Sequence, residues 1–509
     1  MATLPMHRLT AVNLNISQLK GALTPSRLLA SDITVVLVPK NAPDTLLAEL
    51  PDGARLRKLI GKNDSPHGKM RRACVSHQGK ACQVLLARCP DPATSFARLD
   101  QARILAGKIL EERPASVTVL LEGFTDASAM ATAEATASAL YAALASMPNR
   151  KSKPTPAHTL SKLRFAGLPA RLDTRRIKAE AGGNHLARWL TALPPNELNP
   201  GGYRRHLETL AAEHGWHFRF IGEKELARQG AGAFLAVSQA SAERDAGIAH
   251  IRYRPGKKTA RAELALVGKG ICFDTGGSQL KPFKSMLNMH EDMGGSAVAI
   301  GLLQALNELG YPEPVDCWLA IAENRLGSRG YIPQDILTAA NGTTIQAIHT
   351  DAEGRLVLAD TLHFASKTGP RAIIDFATLT GACVAALTER YSGVFTNREH
   401  LNATLVEAGK ASGERVWPFP MDEDFDQALE SEVADVMQCP TTNDGDHIMG
   451  ARFLTRFVGK DIAWVHVDLS AVNHKGGLAH VPTSITGFGV RFILNLLLEQ
   501  QFMHKLDVQ

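Results

Sequence analysis

Seven cysteines in 509 residues, none of them in a C-x-x-C pair, are too few and too scattered to build a fold. The odd set Cys74, Cys82, Cys89, Cys272, Cys317, Cys383 and Cys439 speaks against a disulfide framework and a cysteine-held zinc, and fits a reducing compartment. Long apolar runs are missing too. The stretch LLASDITVVLVP is broken by Asp32 and falls short of the roughly 20 residues a membrane helix needs. The opening MATLPMHRLTAVNLNIS lacks the basic-then-apolar pattern of a secretory signal. We therefore expect a soluble, cytoplasmic protein with no membrane partner. Nucleotide loops fail on particular residues. A phosphate loop ending at Lys269 needs glycine where Glu263 stands and Ser or Thr where Gly270 stands, and G-x-G-x-x-G fails at Phe273.

What is present is ordinary for a globular enzyme-sized chain: 45% hydrophobic and 21% charged residues, enough length for two domains and a sizeable core. The net charge of +5 is uneven, with 26 Lys and Arg against 14 Asp and Glu in residues 1–180, and 30 against 37 in the rest. The basic part permits contact with nucleic acid, but its charges are scattered and few aromatics lie among them, so a solvated basic face is the simpler reading.

Along the chain, apolar β-branched runs at 32–38, 82–87 and 116–122 alternate with helical stretches at 95–112 and 127–146. This predicts an N-terminal α/β domain over 1–150, with a role in assembly or regulation. MPNRKSKPTPAH opens a linker assigned to 151–180. A larger α/β domain over 181–509 is expected to hold a central mixed sheet flanked by helices. A helix over 182–193 stops at Pro194-Pro195, and another covers 203–214. Strands then fall at 264–268, 316–322, 343–348, 372–377 and 462–468, and helices at 293–308, 356–367, 380–389 and 488–499. No internal repeat is visible.

Two stretches carry chemistry. In HTDAEGRLVLADTL, residues 349–362, Asp351, Glu353 and Arg355 alternate, so an extended backbone would send all three to one side of a strand-to-helix loop. Upstream, VGKGICFDTGGSQLKPFKSMLNMHEDMGG contributes Lys269, Asp274, Lys281 and Asp292. Four carboxylates packed together raise one another's pKa and call for a cation, and carboxylate-rich ligation suits Mn, Zn or Mg, with room for two bridged ions. Taken singly, Asp292 reads as a helix cap, and Gly276-Gly277 and Gly294-Gly295 as turns.

These stretches, with LPPNELNP, GAGAFLAVSQAS, ATLTGA and TGFGVR, resemble the leucine aminopeptidase family of two-metal exopeptidases over roughly residues 185–495. The resemblance implies that Lys269, Asp274, Asp292 and Glu353 hold a tighter metal ion and Asp274, Asp351 and Glu353 a looser one. It also implies that a metal-activated hydroxide attacks the first peptide bond, that Lys281 stabilises the oxyanion, and that Arg355 holds a bicarbonate relaying the proton. Met289, Thr378, Leu379 and Gly381 fall at positions for the first side chain or the anion, giving a leucine-like preference. A homohexamer acting on peptides is implied as well. The chain departs from the family at His349, expected to donate to a metal-site carboxylate, and in the segments 439–450 and 470–485, the latter carrying His474 and His480. Cys272 reads as a packed residue. A reading from another class is a DNA-binding or architectural protein whose peptidase activity is secondary, and its mark would be a steep salt dependence of DNA retention.

Overall fold

The computed structural model describes residues 12–40, 47, 50–60, 70–89, 94–154, 156–256, 260–442 and 444–506. They form two compact units. One holds the described residues up to Ala181 together with Gly476–Thr483, the other Gly182–Lys475 together with the described residues from Ser484. Among the described residues no helix is long and apolar enough to cross a membrane.

The first unit is built on β1 (Asn15–Gln18), β2 (Ile33–Pro39), β3 (Arg71–His77), β4 (Lys80–Cys89), β5 (Ser116–Leu121) and β6 (Lys162–Ala166). Their order is β1-β6-β5-β2-β4-β3, parallel except where β3 runs against β4. Side chains alternate across a strand, so Val35 and Leu37 of β2 enter the core on one face of the sheet while Val36 and Val38 enter a second core on the other. A strand buried on both faces must be apolar throughout, which is why this one is legible in the sequence. Helices α1 (Ser95–Glu111) and α2 (Asp126–Leu144) pack on each other, with Thr94 and Thr125 capping their first turns.

Two expectations for this region change. Residues 151–180 are more than a linker, because β6 lies within them and pairs with both β1 and β5. The short segment Gly476–Thr483 also folds with the first unit: Ala479 joins its core, and Arg103 donates hydrogen bonds to the carbonyls of Ala479 and Gly476.

The second unit contains β7 (His217–Gly222), β8 (Gly247–Tyr253), β9 (Leu264–Asp274), β10 (Val315–Asn324), β11 (Ile336–Thr338), β12 (Thr344–Gln346), β13 (Ala372–Ala377), β14 (Ser392–Thr396), β15 (Val416–Pro418), β16 (Val436–Met437) and β17 (Ala463–Asp468). Eight of them form the mixed central sheet, in the order β15-β14-β17-β13-β9-β10-β8-β7. The stretch expected as a strand at 343–348 does contain one, β12, but it pairs with β11 and β16 in a separate three-stranded sheet.

Helices α3 (Gly294–Leu309) and α4 (Glu353–Lys367) pack against β9. Close approach of α3 requires glycine at its start, since a Cβ on Gly295 would stand 2.1 Å from the Phe376 carbonyl oxygen. This contact brings the first turn of α3 to the end of β13.

Candidate active site

Strands β17, β13, β9 and β10 run parallel, so their carboxyl ends lie along one edge, where open α/β sheets hold their ligands. The last residues of the four strands are Asp468, Ala377, Asp274 and Asn324, and the register pairs Ala377 with Asp468 and Asp274 with Asn324. Loops leaving these ends supply the remaining groups.

Lys269, midway along β9, is buried. Its Nζ lies 2.9 Å from Asp292 Oδ2 and 2.9 Å from Glu353 Oε1, and donates to the Thr378 carbonyl at 2.9 Å. Lys281 lies 2.8 Å from Asp274 Oδ2 and also pairs with Asp351. Asp292 occupies the turn just before α3 and accepts a hydrogen bond from Thr378 Oγ1 at 2.6 Å.

Residues 349–355 are not extended as expected. The Ala352 N–H closes a turn onto the His349 carbonyl at 3.0 Å, and α4 starts at Glu353. A helix rotates by about 100° per residue, so Glu353 and Arg355 point apart. Glu353 joins the lysine–carboxylate cluster. Arg355 instead donates from Nη1 to the Gln438 carbonyl at 3.2 Å and from Nη2 to Asp446 Oδ1 at 2.7 Å.

Four carboxylates meet two ammonium groups in this cluster, and the imbalance shows in their protonation. Burial pushes Asp292 up to about 8, the neighbouring Lys269 offsetting only part of the rise. Burial, with repulsion from Asp274 and Glu353, pushes Asp351 up to about 7, and Glu353 is raised mainly by burial and Asp274. Burial pulls Lys269 and Lys281 down, but the surrounding carboxylates carry both above the ordinary lysine range. Three buried oxygens, Asp292 Oδ2, Asp351 Oδ1 and Glu353 Oε1, accept no properly directed hydrogen bond, although a lysine ammonium lies beside each. Ligand oxygens of Asp274, Asp351 and Glu353 lie within 4.8 Å of one another. Converging carboxylate oxygens, some of them unsatisfied, with Asp292 and Asp351 raised to about 8 and about 7, are a donor set that divalent cations fit, the cations supplying the positive charge that burial denies these groups.

Several residues that hold this arrangement carry no signal in the sequence. Asn324 Nδ2 lies 2.8 Å from Asp274 Oδ1, 3.0 Å from the Thr350 carbonyl and 3.5 Å from Glu353 Oε2, tying both carboxylates to the loop before α4. Fully buried Gln438 accepts from the N–H groups of Ile348 and His349 and donates to the Ala352 carbonyl at 3.0 Å. Asp468 accepts from the Leu379 N–H at 3.1 Å and from Thr380 Oγ1 at 2.7 Å, which sets the loop after β13.

His349 does not act as the expected donor through Nδ1, which accepts the Asp351 N–H at 3.2 Å. Burial lowers its pKa, with Lys281 and Arg355 adding to the effect against Asp446, so the ring is neutral and its lone pair is free to accept. Cys272 is a packed residue whose thiol burial raises well above the ordinary range.

A cavity of about 720 Å³ opens over the cluster. Lys269, Asp274, Lys281, Asp292, Asp351, Arg355 and His349 reach its wall, as do Met289, Thr378, Leu379 and Gly381, so all but one of the expected metal-, anion- and substrate-site residues meet here. The exception is Glu353, which lies behind the wall, 1% exposed. The segment 439–450 contributes Cys439, Pro440, Thr441, Thr442 and Asp446, and 470–485 contributes Ser470, Val472 and Asn473, while His474 and His480 are not among the wall residues.

Comparison with known proteins agrees with this arrangement. Residues 185–494 match the model of the cytosol aminopeptidase family, catalytic domain. A probable cytosol aminopeptidase of Parasynechococcus marenigrum (strain WH8102) is 39% identical over 475 residues, covering 91% of this chain and 96% of that protein. Another, from Persephonella marina (strain DSM 14350 / EX-H1), is 40% identical over 326 residues, covering 64% of this chain and 65% of its own. Among solved structures, a mutant of tomato leucine aminopeptidase is similar with a TM-score of 0.82 at 27% identity over 96% of each chain. The bottromycin maturation enzyme BotP in complex with Mn gives a TM-score of 0.79 at 28% identity, covering 93% of this chain and 100% of that one. The matched region runs through the strands that end at the cluster and the loops that complete it, and the chain belongs to the cytosol aminopeptidase family of metal-dependent peptidases.

Proposed function

We propose that the chain removes leucine-like residues from the amino end of peptides at a two-metal site formed by the lysine–carboxylate cluster. The observation that carries this reading is the convergence of four carboxylates, Asp274, Asp292, Asp351 and Glu353, the last three with a buried oxygen left without a directed hydrogen bond, and only two lysines to balance them. Lys269, Asp274, Asp292 and Glu353 would hold one ion, and Asp274, Asp351 and Glu353 the other, Mn or Zn being favoured over Mg. When bound, the ions supply an activated water, polarise the scissile carbonyl and hold the free amine of the substrate.

The protein's own groups do the rest. Lys269 has to give up its proton to bind a metal, which two cations beside it would drive. Lys281 stays charged at the cavity wall and donates to the oxygen that becomes negative as the carbonyl is attacked. The loop 378–381, set by Asp468, and Met289 line the cavity, and the apolar side chains of Leu379 and Met289 there support the leucine-like preference. The bicarbonate expected on Arg355 does not fit these residues. The guanidinium is already paired with Asp446, and a second anion would stand against that carboxylate in a site rich in others. No step is assigned to it.

Replacing Asp274 or Lys281 with alanine tests the reading. In the Mn-loaded protein we expect Asp274→Ala to abolish activity and Lys281→Ala to lower kcat by about 10²–10³. Full activity in either variant would overturn it. A cytoplasmic location, a homohexamer, and an assembly or regulatory role for the first unit belong to the same proposal, and a monomer by light scattering would remove the hexamer. Nothing at the site favours the DNA-binding alternative.

A further inference from the structure

We infer that Asp446 takes over the role of a bound anion on Arg355: it is the carboxylate that receives the proton of the attacking water and returns it to the departing amine. The inference rests on the peptidase reading and names the residue that completes it.

Arg355 is 1% exposed and held in place, with Nη1 on the Gln438 carbonyl and Nη2 on Asp446 Oδ1 at 2.7 Å. Asp446 is therefore anchored through one oxygen to a buried cation. Its side chain is nevertheless 27% exposed and lies on the wall of the same cavity as Lys281 and Asp351. It opens α5 (Asp446–Thr455), and Gly445 before it takes the left-handed backbone (φ 63°) that turns the chain into the helix. A carboxylate fixed by an arginine, with part of its side chain exposed on the cavity wall, has the shape and charge of a small planar oxyanion held on the same fork. Being part of the chain, it competes with any dissolved anion at a high effective concentration.

The proton accounting closes without another reagent. As the water oxygen bonds to the carbonyl carbon, its proton passes to the Asp446 carboxylate. When the carbon–nitrogen bond breaks, the same proton passes from Asp446 to the leaving nitrogen. One water is consumed and the carboxylate is regenerated.

The test uses the full chain loaded with Mn, leucine p-nitroanilide as substrate, and buffers depleted of carbon dioxide or supplemented with bicarbonate. The wild-type rate is expected not to respond to bicarbonate. Asp446→Asn should lose about 10²–10⁴ in kcat with little change in KM, and its pH profile should lose the limb set by the carboxylate. Asp446→Gly should lose as much and regain part of it in millimolar bicarbonate or formate. Carbon-13 bicarbonate titrated by NMR should bind Asp446→Gly and not the wild type. Thermal midpoints and Mn affinity of the variants report folding separately, and the near-isosteric asparagine variant decides the matter if the glycine variant does not fold. A wild-type rate that rises several-fold with bicarbonate, wild-type binding of bicarbonate at millimolar concentration, or full activity in Asp446→Asn would each overturn the inference. Absence of any chelation-sensitive activity in the wild type would instead count against the peptidase reading, leaving the NMR titration to judge the site.

Discussion

Gly354 lies directly against Lys269: a Cβ at Gly354 would stand 2.7 Å from Lys269 Cε and 2.8 Å from Nζ. The lysine cannot swing aside, because Asp292, Glu353 and the Thr378 carbonyl surround its ammonium group. In an ordinary helix, glycine to alanine stabilises by up to about 1 kcal/mol. Here we expect Gly354→Ala to fold yet to lose Mn affinity and activity by at least tenfold, checked by calorimetric titration and steady-state rates. Unchanged Mn binding would show that Lys269 is free to move.

Asn324 offers a second handle. It is neutral and supplies no charge to a metal, so its effect comes from orienting Asp274 and Glu353. Removing such an orienting partner costs roughly 10–100-fold in metal affinity. Asn324→Ala should show that loss in Mn titrations, and activity should recover when Mn is raised in proportion. A defect that excess Mn cannot repair would place the effect elsewhere.

The protonation of Asp351 makes a prediction for the metal-free protein. Its folded pKa of about 7 lies above the roughly 3.9 of an unfolded aspartate, so between these values the native state binds more protons. Its contribution to stability therefore falls as pH rises from about 4 to about 7. Asp351→Asn carries no charge at any pH. The thermal midpoint of this variant, measured in chelator, should gain on the wild type between pH 5 and pH 8. A gap that is constant or shrinks over that interval would contradict the origin given for the shift.

The parts of this molecule legible in the sequence are those whose surroundings are uniform. β9, β10, β13 and β17 are buried along nearly their whole length, so they read as continuous apolar runs. β3, with the sequence RRACVSH, sits at a sheet edge and alternates exposed and buried residues, which hides it. β12 reads as a strand, but nothing in its period names its partners, and it belongs to the small sheet. At the site, Lys269, Asp274, Lys281, Asp292, Asp351 and Glu353 stand out because charged groups interrupt apolar segments. Asn324 and Gln438 do not, since an amide shows its purpose only through what it touches. Asp446 meets Arg355 across 91 positions of sequence, and that pairing, proposed above to stand in for the expected bicarbonate, depends on tertiary contact alone.

The proposed two-metal site requires a free amino end on its substrate. Its most direct measurement compares leucine p-nitroanilide with its N-acetylated form, in protein as loaded with Mn, after chelation, and after Mn is returned. A two-metal aminopeptidase hydrolyses the free-amine substrate only, and that activity is lost on chelation and recovered with Mn. A rate that survives chelation, or equal cleavage of the acetylated substrate, would contradict it.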